Sequence, residues 1–319
     1  MSKERNLAID IMKFFAAIAI TNSHMGDLYV HFNGMATGGA IGDAIFFFCS
    51  GFTLFLGQER RFDNWYKRRI RRIYPTVIMW AIITAFLIDE HYSVRDSILY
   101  GGGWFVSCIM VYYILIYFTR KIFKNRLWMA FVLYLIVTIG YYYYSDSHLL
   151  NNFYGDGTFR LVFFFLIMLL GAIFSLHRQS FKLKLPGLWF ILLFAGFYGI
   201  LFIKNKFSED ISAIMNLFTI PCLAGMCISL YYFCESSLVG MMDSRIGLVV
   251  RFIGGLCLQI YVVQHAIITT SLNFLFPLNL IIVFLAIVFT AYLLQCFSRF
   301  FLQTFDNQNY NWKEIMRLV

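Results

Sequence analysis

The sequence has few charged residues, 13% of its 319 positions, and only four prolines. A soluble domain carries about twice that charged fraction, whereas 60% of these residues are hydrophobic. An ordinary soluble protein is therefore excluded. Because helix-breaking prolines are so few and the polar linkers are short, we predict one integral-membrane domain over residues 1–319 and no room for a second, soluble domain.

Signatures of metal and nucleotide binding are missing too. The seven cysteines show no CxxC or paired spacing, which argues against a disulfide framework and against a zinc site. The sequence has no GxGxxG motif and no Walker loop, and no internal repeat of the kind that many transporters show. We therefore expect no metal and no permanently bound cofactor.

Long hydrophobic runs are what the sequence has instead. Ten stretches are apolar and, at about 20 residues, long enough to cross a bilayer as helices. We predict an all-α fold, a polytopic transmembrane bundle of about ten helices. The stretches are 7–25, 40–57, 73–89, 98–118, 127–144, 159–176, 187–203, 211–233, 248–270 and 280–301.

The distribution of basic residues indicates the orientation. If the N-terminus is cytoplasmic, 20 of the 26 Lys and Arg residues fall in segments on the cytoplasmic side, as the positive-inside rule requires. We therefore predict that both termini are cytoplasmic and that the protein lies in the cytoplasmic (inner) cell membrane, in contact with membrane lipids. The net charge of +9 follows from this orientation, and nucleic acid is not an expected partner.

The first apolar stretch is unusual because it carries Asp10, Lys13 and His24. A charge at the bilayer centre costs a few kcal/mol or more, so such residues usually face a protein interior and have a function. In a helix, Lys13 and His24 project within about 20° of one face, about 16 Å apart. Asp10 lies one turn before Lys13 and can neutralise it. By the predicted orientation, His24 lies near the outer end.

The segment RRFDNWYKRRIRR (60–72) carries seven basic residues in thirteen. One explanation is positive-inside bias together with binding to anionic lipid. The other is a phosphate site, because guanidinium groups bind phosphate bidentately and Arg69 and Arg72 share a face if the segment is helical. We expect a cationic loop at the membrane interface, followed by Pro75 at the start of the next helix.

Three motifs resemble those of the membrane-bound acyltransferase-3 family. Asp10, Lys13 and His24 match the spacing of its first motif, an arginine followed ten residues later by histidine, with Lys13 in place of the usual arginine. GDAIFFFCSGF (42–52) is similar to its Phe-rich run that ends in Ser-Gly-Phe. RRIRRIYP (68–75) is similar to its Arg-rich segment that ends in proline.

Two weaker matches follow in the same order as in the family. WFVSCIMVYY (104–113) resembles its fourth helix, and IGGLCLQIYVVQHAI (253–267) contains a Tyr-x-x-x-His pattern at Tyr261 and His265. The resemblance thus covers nearly the whole chain. It implies a membrane O-acyltransferase, first of all an O-acetyltransferase, that acts on extracytoplasmic or lipid-linked glycans.

The chemistry of such a reaction suits His24. An alcohol is a poor nucleophile at neutral pH, and imidazole is the usual base for its proton. His24 either takes that proton or attacks the thioester and carries the acyl group, and the sequence leaves both open. Asp10 is expected to hold Lys13, and Lys13 to stabilise developing negative charge or line the donor path.

The remaining site residues fall into two groups. Arg68, Arg69, Arg72 and Ser50 are predicted to bind the donor, acyl-CoA and first of all acetyl-CoA, as a co-substrate. For Ser50 the alternative is a kink or a close helix approach beside Gly51.

The second group is expected on the acceptor side, where a sugar or lipid-linked glycan binds. Tyr261 and His265 belong to a segment that Gln259 and Gln264 make unusually polar, and they are predicted to form a wall of the acceptor site. Trp104 is either an interface anchor or a sugar-stacking platform.

Two other functions compete with acyl transfer. A transporter or flippase for a polysaccharide precursor also needs charges inside the membrane, but such proteins often show internal repeats. A glycan polymerase or assembly protein is expected to need larger outer loops than the predicted ones of about fifteen residues.

Overall fold

A computed structural model describes residues 6–55, 61–87, 103–150, 154, 155, 157–180, 182–305 and 309–318. Helix accounts for 85% of the structure, and the described residues contain no strand. The predicted all-α fold is confirmed. The reason is physical: a chain this apolar can satisfy its backbone N–H and C=O groups in lipid only within helices or a closed barrel.

Twelve α-helices are found in the described part of the chain. They are α1 (Leu7–His24), α2 (Gly39–Phe55), α3 (Phe62–Leu87), α4 (Gly103–Phe123), α5 (Leu127–Tyr144), α6 (Arg160–His177), α7 (Pro186–Ile203), α8 (Glu209–Phe233), α9 (Arg245–Gly255), α10 (Cys257–Ile267), α11 (Leu278–Thr304) and α12 (Trp312–Ile315). Short 3₁₀ turns and one π-helical turn, Cys234–Leu238, connect several of them.

Seven of the described helical segments are long and apolar enough to cross a membrane, or eight if the bent pair α9–α10 is one span. The protein is therefore a helical membrane protein. Two of the ten predicted spans correspond to α1 and α3, which carry too many polar residues to qualify by composition. The number ten and the cytoplasmic termini remain predictions.

The predicted span 248–270 is not one straight helix. α9 and α10 meet at an angle of 72°, and the break follows Gly254 and Gly255, residues that weaken a helix at such a point. The apolar pattern continues across this break, which is why the sequence alone predicted a continuous helix.

The cationic segment is helical, and the expectation of a loop was wrong. α3 begins at Phe62, so Pro75 lies well inside the helix rather than at its start. No Gly or Pro interrupts residues 62–74, and Phe62 stacks on Tyr66 one turn later, with ring centroids 5.6 Å apart. Arg60 lies outside the described residues. So do the last residues of the predicted span 73–89 and the first residues of the predicted span 98–118.

The chain forms two compact units. Unit 1 comprises Met1–Ala16, Ala40–Gln58 and Phe118–Ser244, and unit 2 comprises Ala17–Gly39, Glu59–Tyr117 and Arg245–Val319. Helices α1 and α4 each contribute residues to both units. The single domain predicted over the whole chain remains a prediction.

Unit 1 is organised by a close crossing of α2 and α6. A Cβ added at Gly51 would lie 1.8 Å from the carbonyl oxygen of Met168, and one at Gly171 would lie 2.1 Å from that of Phe48. The two helix backbones therefore touch, each at the other's glycine, as small residues permit in membrane helices. Fully buried phenylalanines of both helices, such as Phe47 and Phe164 with centroids 5.3 Å apart, surround the crossing.

We predict that Gly51→Ala destabilises the protein severely, because the new methyl group meets backbone that cannot move aside. Overpacking a core costs about 1–3 kcal/mol, and we expect at least that, measured as a lower thermal midpoint and a smaller folded fraction in detergent. Gly140→Ala in α5 is the matched control, because its Cβ meets nothing within 4 Å. Equal midpoints for the two variants would contradict the crossing.

Candidate active site

The last turn of α1 is held by hydrogen bonds to the segment that follows it. Asn22 donates from Nδ2 to the carbonyl oxygens of Met35 and Thr37, each at 2.9 Å, and its Oδ1 accepts from the hydroxyl of Tyr29. A single asparagine thus ties the loop back onto the helix. His24, the final residue of α1, is exposed at this fixed end.

The 3₁₀ turn Gly26–Tyr29, directly after His24, is anchored from the other end of the chain. Asn279, fully buried at the start of α11, donates to the carbonyl oxygen of Leu28 at 2.9 Å, and Asn273 donates to that of Asp27 at 2.9 Å. These contacts fix the backbone around His24 within unit 2. Neither asparagine was predicted from the sequence, where the only signal was a polar residue at the start of an apolar stretch.

His265 lies beside His24. The two ring centroids are 4.5 Å apart, and the ring planes meet edge to face at 70°. His265 is near the end of α10, and both imidazoles belong to exposed residues. Among the described residues, no group of three or more His, Cys, Asp or Glu side chains is placed to share a metal ion. The sequence predicted that both histidines lie near the outer end, but their distance comes from the tertiary structure.

Tyr261 and the start of α4 continue this part of unit 2. Tyr261, one turn before His265, packs on Phe105 with centroids 4.9 Å apart. Gly103 has φ +61°, and a Cβ there would lie 3.1 Å from the Tyr261 hydroxyl oxygen, so both conformation and space favour glycine. Trp104 contacts Phe105 edge to face at 6.0 Å and is half-buried. Trp104 and Tyr261 thus both contact Phe105.

Arg69 is held by aromatic rings in the same unit. Its guanidinium carbon lies 4.6 Å from the Trp65 ring centroid and 5.6 Å from that of Tyr113. Burial lowers the pKa of the Arg69 guanidinium, but arginine stays charged in proteins. Its Nε is buried and has no hydrogen-bond partner among the described residues. Arg68 and Arg72 are exposed.

Helix α4 gives the separation between Arg69 and the histidine pair. Tyr113 contacts Arg69, and Phe105, eight residues earlier, contacts Tyr261. Eight residues of α-helix span about 12 Å, and the turn from Tyr261 to His265 adds about 6 Å along α10. The stacked guanidinium of Arg69 and the imidazoles of His24 and His265 therefore all belong to unit 2.

Three buried polar side chains of unit 2 join α3, α10 and α11. Gln259 donates to the Thr76 hydroxyl at 3.3 Å, and Ser298 approaches the same hydroxyl at 3.4 Å. In the described structure, Gln259 Oε1 and both amide atoms of the fully buried Gln264 have no partner. Unpaired buried groups cost about 1–3 kcal/mol each. Both glutamines stood out in the sequence, whereas Thr76 and Ser298 did not, because they are ordinary residues in apolar helices.

The other predicted site residues belong to unit 1. Asp10 is buried and Lys13 half-buried on the first half of α1, a helix whose start is capped by Asn6 Oδ1 accepting from the Ile9 N–H at 3.2 Å. Ser50 is next to Gly51 at the α2–α6 crossing. The close helix approach considered as an alternative for Ser50 exists, but the residue at the contact is its neighbour Gly51. The roles of all three residues remain predictions.

A bundle of apolar helices, with imidazole and guanidinium groups held at defined positions, defines an integral-membrane protein with a candidate site for group transfer. The chain belongs to the acyltransferase-3 family: that family's sequence model, described as an acyltransferase domain, matches residues 6–298. The resemblance stated from the motifs is thereby confirmed, and the protein is a membrane acyltransferase. No curated protein and no solved structure matches the chain.

We predict that Arg69→Lys lowers the thermal midpoint in detergent, because an ammonium group lacks the planar face that stacks on Trp65 and Tyr113. A cation–π contact is worth about 0.5–2 kcal/mol, which corresponds to a shift of a few degrees at about 2–4 °C per kcal/mol. Arg72→Lys, at an exposed position one turn later on the same helix, is the matched control. Equal shifts for the two variants would show that the stacking is not stabilising.

Proposed function

We propose that this protein transfers an acyl group, first of all acetyl, from cytosolic acyl-CoA to a hydroxyl group of an extracytoplasmic or lipid-linked glycan. The observation that carries the proposal is the pairing of His24 with His265 in the unit that also holds the stacked Arg69. Acyl transfer from coenzyme A needs both features: cations for its phosphates, and an imidazole where the thioester meets the hydroxyl.

The donor end of the proposed site is the first half of α3. Coenzyme A carries a 3′-phosphate and a diphosphate, and guanidinium groups bind phosphate through paired hydrogen bonds. Arg69 is oriented by Trp65 and Tyr113, so less of its side-chain entropy is lost on binding. Arg72 follows on the same side of the helix, about 60° away, and Arg68 lies beside Arg72.

The pantetheine arm of coenzyme A suits what lies between the two ends. The path along the two helices, about 12 Å of rise on α4 and about 6 Å on α10, is one that this extended chain can cover. The arm has two amide groups, which need hydrogen-bond partners when they leave water. The unpaired amide atoms of Gln259 and Gln264 are of the matching type, and we assign them to the arm.

At the histidine end the reaction is a simple exchange. The acceptor O–H bond breaks as the proton moves to an imidazole nitrogen, the oxygen forms a bond to the thioester carbonyl carbon, and the C–S bond breaks with its electron pair leaving on the coenzyme A sulfur. In the covalent variant, His24 first takes the acyl group from sulfur and then gives it to the hydroxyl. Both routes use the same residues.

The remaining predicted residues take supporting roles. Lys13, three turns before His24 on α1 and close to Asp10 in sequence, is assigned to the path of the donor. Trp104 with Tyr261 is assigned to the sugar acceptor, where an aromatic face suits the apolar side of a pyranose ring. The setting is the inner cell membrane, with the donor on the cytoplasmic side.

The alternative of a transporter or flippase is not favoured. The bent pair α9–α10 is the kind of broken helix that transporters use, but they carry such breaks at matching positions of two repeats. It is the one bent pair among the described helices, and the family to which the chain belongs is defined by acyl transfer.

We predict that His24→Ala abolishes acyl transfer while expression and membrane insertion stay intact. Losing a general base or an acyl carrier costs at least about 100-fold in rate. The measurement is transfer of radiolabelled acetyl from acetyl-CoA to a panel of glycan acceptors by the purified protein, together with the acetyl content of the cell's surface glycan. His177→Ala, at the end of α6, is the control. Turnover above about a tenth of the wild-type value would exclude His24 from catalysis.

The same assay extends to the other polar residue of α1. Lys13→Ala should be nearly as damaging as His24→Ala, because the positive charge is lost. Lys13→Arg should stay active, because the family's first motif has arginine at this position. An inactive Arg variant together with an active Ala variant would contradict the role given to Lys13.

We predict that Arg69→Ala/Arg72→Ala weakens coenzyme A binding, measured by isothermal titration with coenzyme A, without changing acceptor affinity. Each lost charge-assisted contact is worth about 1.5–3 kcal/mol, which is tenfold or more in Kd. The matched control is Lys67→Ala/Arg71→Ala, which removes the same charge from the side of α3 about 160° away from Arg69. That control should bind coenzyme A nearly as well as wild type.

Binding of anionic lipid makes a different prediction for this pair of variants. Both double variants would then alter membrane insertion or lipid dependence to a similar extent, and coenzyme A affinity would be unchanged. Wild-type affinity in Arg69→Ala/Arg72→Ala would therefore overturn the donor site on α3.

A further inference from the structure

The histidine pair has a property that neither residue has alone. His24 and His265 are on different helices, α1 and α10, and their rings meet edge to face with centroids 4.5 Å apart. Each helix end is fixed independently of the other histidine: the His24 end by Asn22 and Asn279, and α10 by Tyr261 packing on Phe105. The rings are therefore held together by the fold rather than by a bond between them.

Two imidazoles this close do not both carry a proton readily. The repulsion of two unit charges at such a distance corresponds to a shift on the order of one pH unit even in a water-like medium. Interacting groups of this kind titrate as a pair, with the first proton shared and the second bound only at lower pH. Over the pH range between these two steps, one ring is always neutral and the other protonated.

The neighbouring elements contribute few other titratable groups. Tyr261 precedes His265 on α10, and Asp27 and Tyr29 are on the 3₁₀ turn after α1. The turn Thr270–Leu275, which follows α10, carries none. Lys13 is three turns back on α1, and α4 begins with Gly103 and Trp104. Among these groups, the contact recorded for each imidazole is with the other imidazole.

We propose that His265 is a second catalytic imidazole, which shares one proton with His24 so that a neutral ring is always available to accept the proton of the acceptor hydroxyl. This inference rests on the proposed function and adds to it a residue that acts on the proton. The acceptor O–H bond breaks and its proton goes to the neutral ring. The C–S bond of the thioester breaks as the C–O bond forms, and in the same step the protonated ring gives its proton to the departing thiolate, so the two rings never carry two protons together.

Both rings are placed for this exchange. Each histidine is exposed, so acceptor and water can reach the pair. A purely structural contact would give a different result, because an apolar or amide side chain of similar size could then replace His265 without affecting proton transfer.

The shared proton is tested without any turnover. The protein is labelled with ¹⁵N-histidine, solubilised in detergent and titrated by NMR, which follows the six histidines of the wild type. The same titration is done with His265→Gln, His24→Gln and the control His177→Gln. We expect the His24 signal to titrate about one pH unit higher in His265→Gln, and the His265 signal to shift likewise in His24→Gln. If either His265→Gln or His24→Gln folds poorly, the other variant still tests the shared proton. Unchanged titration of both remaining histidines overturns the shared proton.

The catalytic role is tested by the pH dependence of acetyl transfer from acetyl-CoA. In His265→Gln we expect kcat to fall at least about tenfold, KM for acetyl-CoA to stay near the wild-type value, and the acid limb of the kcat profile to move to higher pH. His177→Gln should match the wild type. Full activity of His265→Gln with an unshifted profile overturns the role of His265 and leaves the proposed function standing. If the wild type transfers no acetyl group, the proposed function fails together with this catalytic role, while the NMR titration still reports whether the proton is shared.

Discussion

Placing polar groups in an apolar, membrane-spanning chain is the constraint on which the rest of this structure depends. Lipid offers no hydrogen bonds, so a polar group is costly unless it finds a partner within the protein or stays at a helix end where water reaches it. Both solutions occur. Arg69 stacks on Trp65 and Tyr113, and Gln259 bonds to Thr76 across helices. His24 and His265 occupy helix ends.

The same constraint explains why the motifs divide between packing and chemistry. In the Phe-rich motif, Gly51 is where α6 touches α2, so this motif builds the scaffold of unit 1. In the Arg-rich motif, Arg69 is half-buried and stacked on aromatic rings, whereas Arg68, Arg71 and Arg72 are exposed. The Tyr-x-x-x-His pattern places Tyr261 and His265 one turn apart on α10. Tyr261 packs on Phe105, and His265 contacts His24. A motif recognised by its letters can therefore serve either purpose.

Much of the fold could be predicted from the sequence, and the errors have identifiable causes. Helix and membrane character follow from composition, since hydrophobic runs of this length have no other stable form in lipid. The loop expected at 60–72 was wrong because a run of charges resembles a loop even where local stacking, such as Phe62 on Tyr66, supports a helix. The break after Gly255 was missed because the apolar pattern continues across it.

The sequence by itself determined the class of protein, the family and the residue types of the candidate site, because hydropathy and motif spacing are local properties of the chain. Only the tertiary structure decided which of those residues meet. His24 and His265 are more than two hundred positions apart, and their contact depends on how α1 and α10 pack and on the asparagines that fix the turn after His24. Likewise, Tyr113 contacts Arg69 because α4 lies against α3. Contacts between distant segments arise from packing, which no local pattern records.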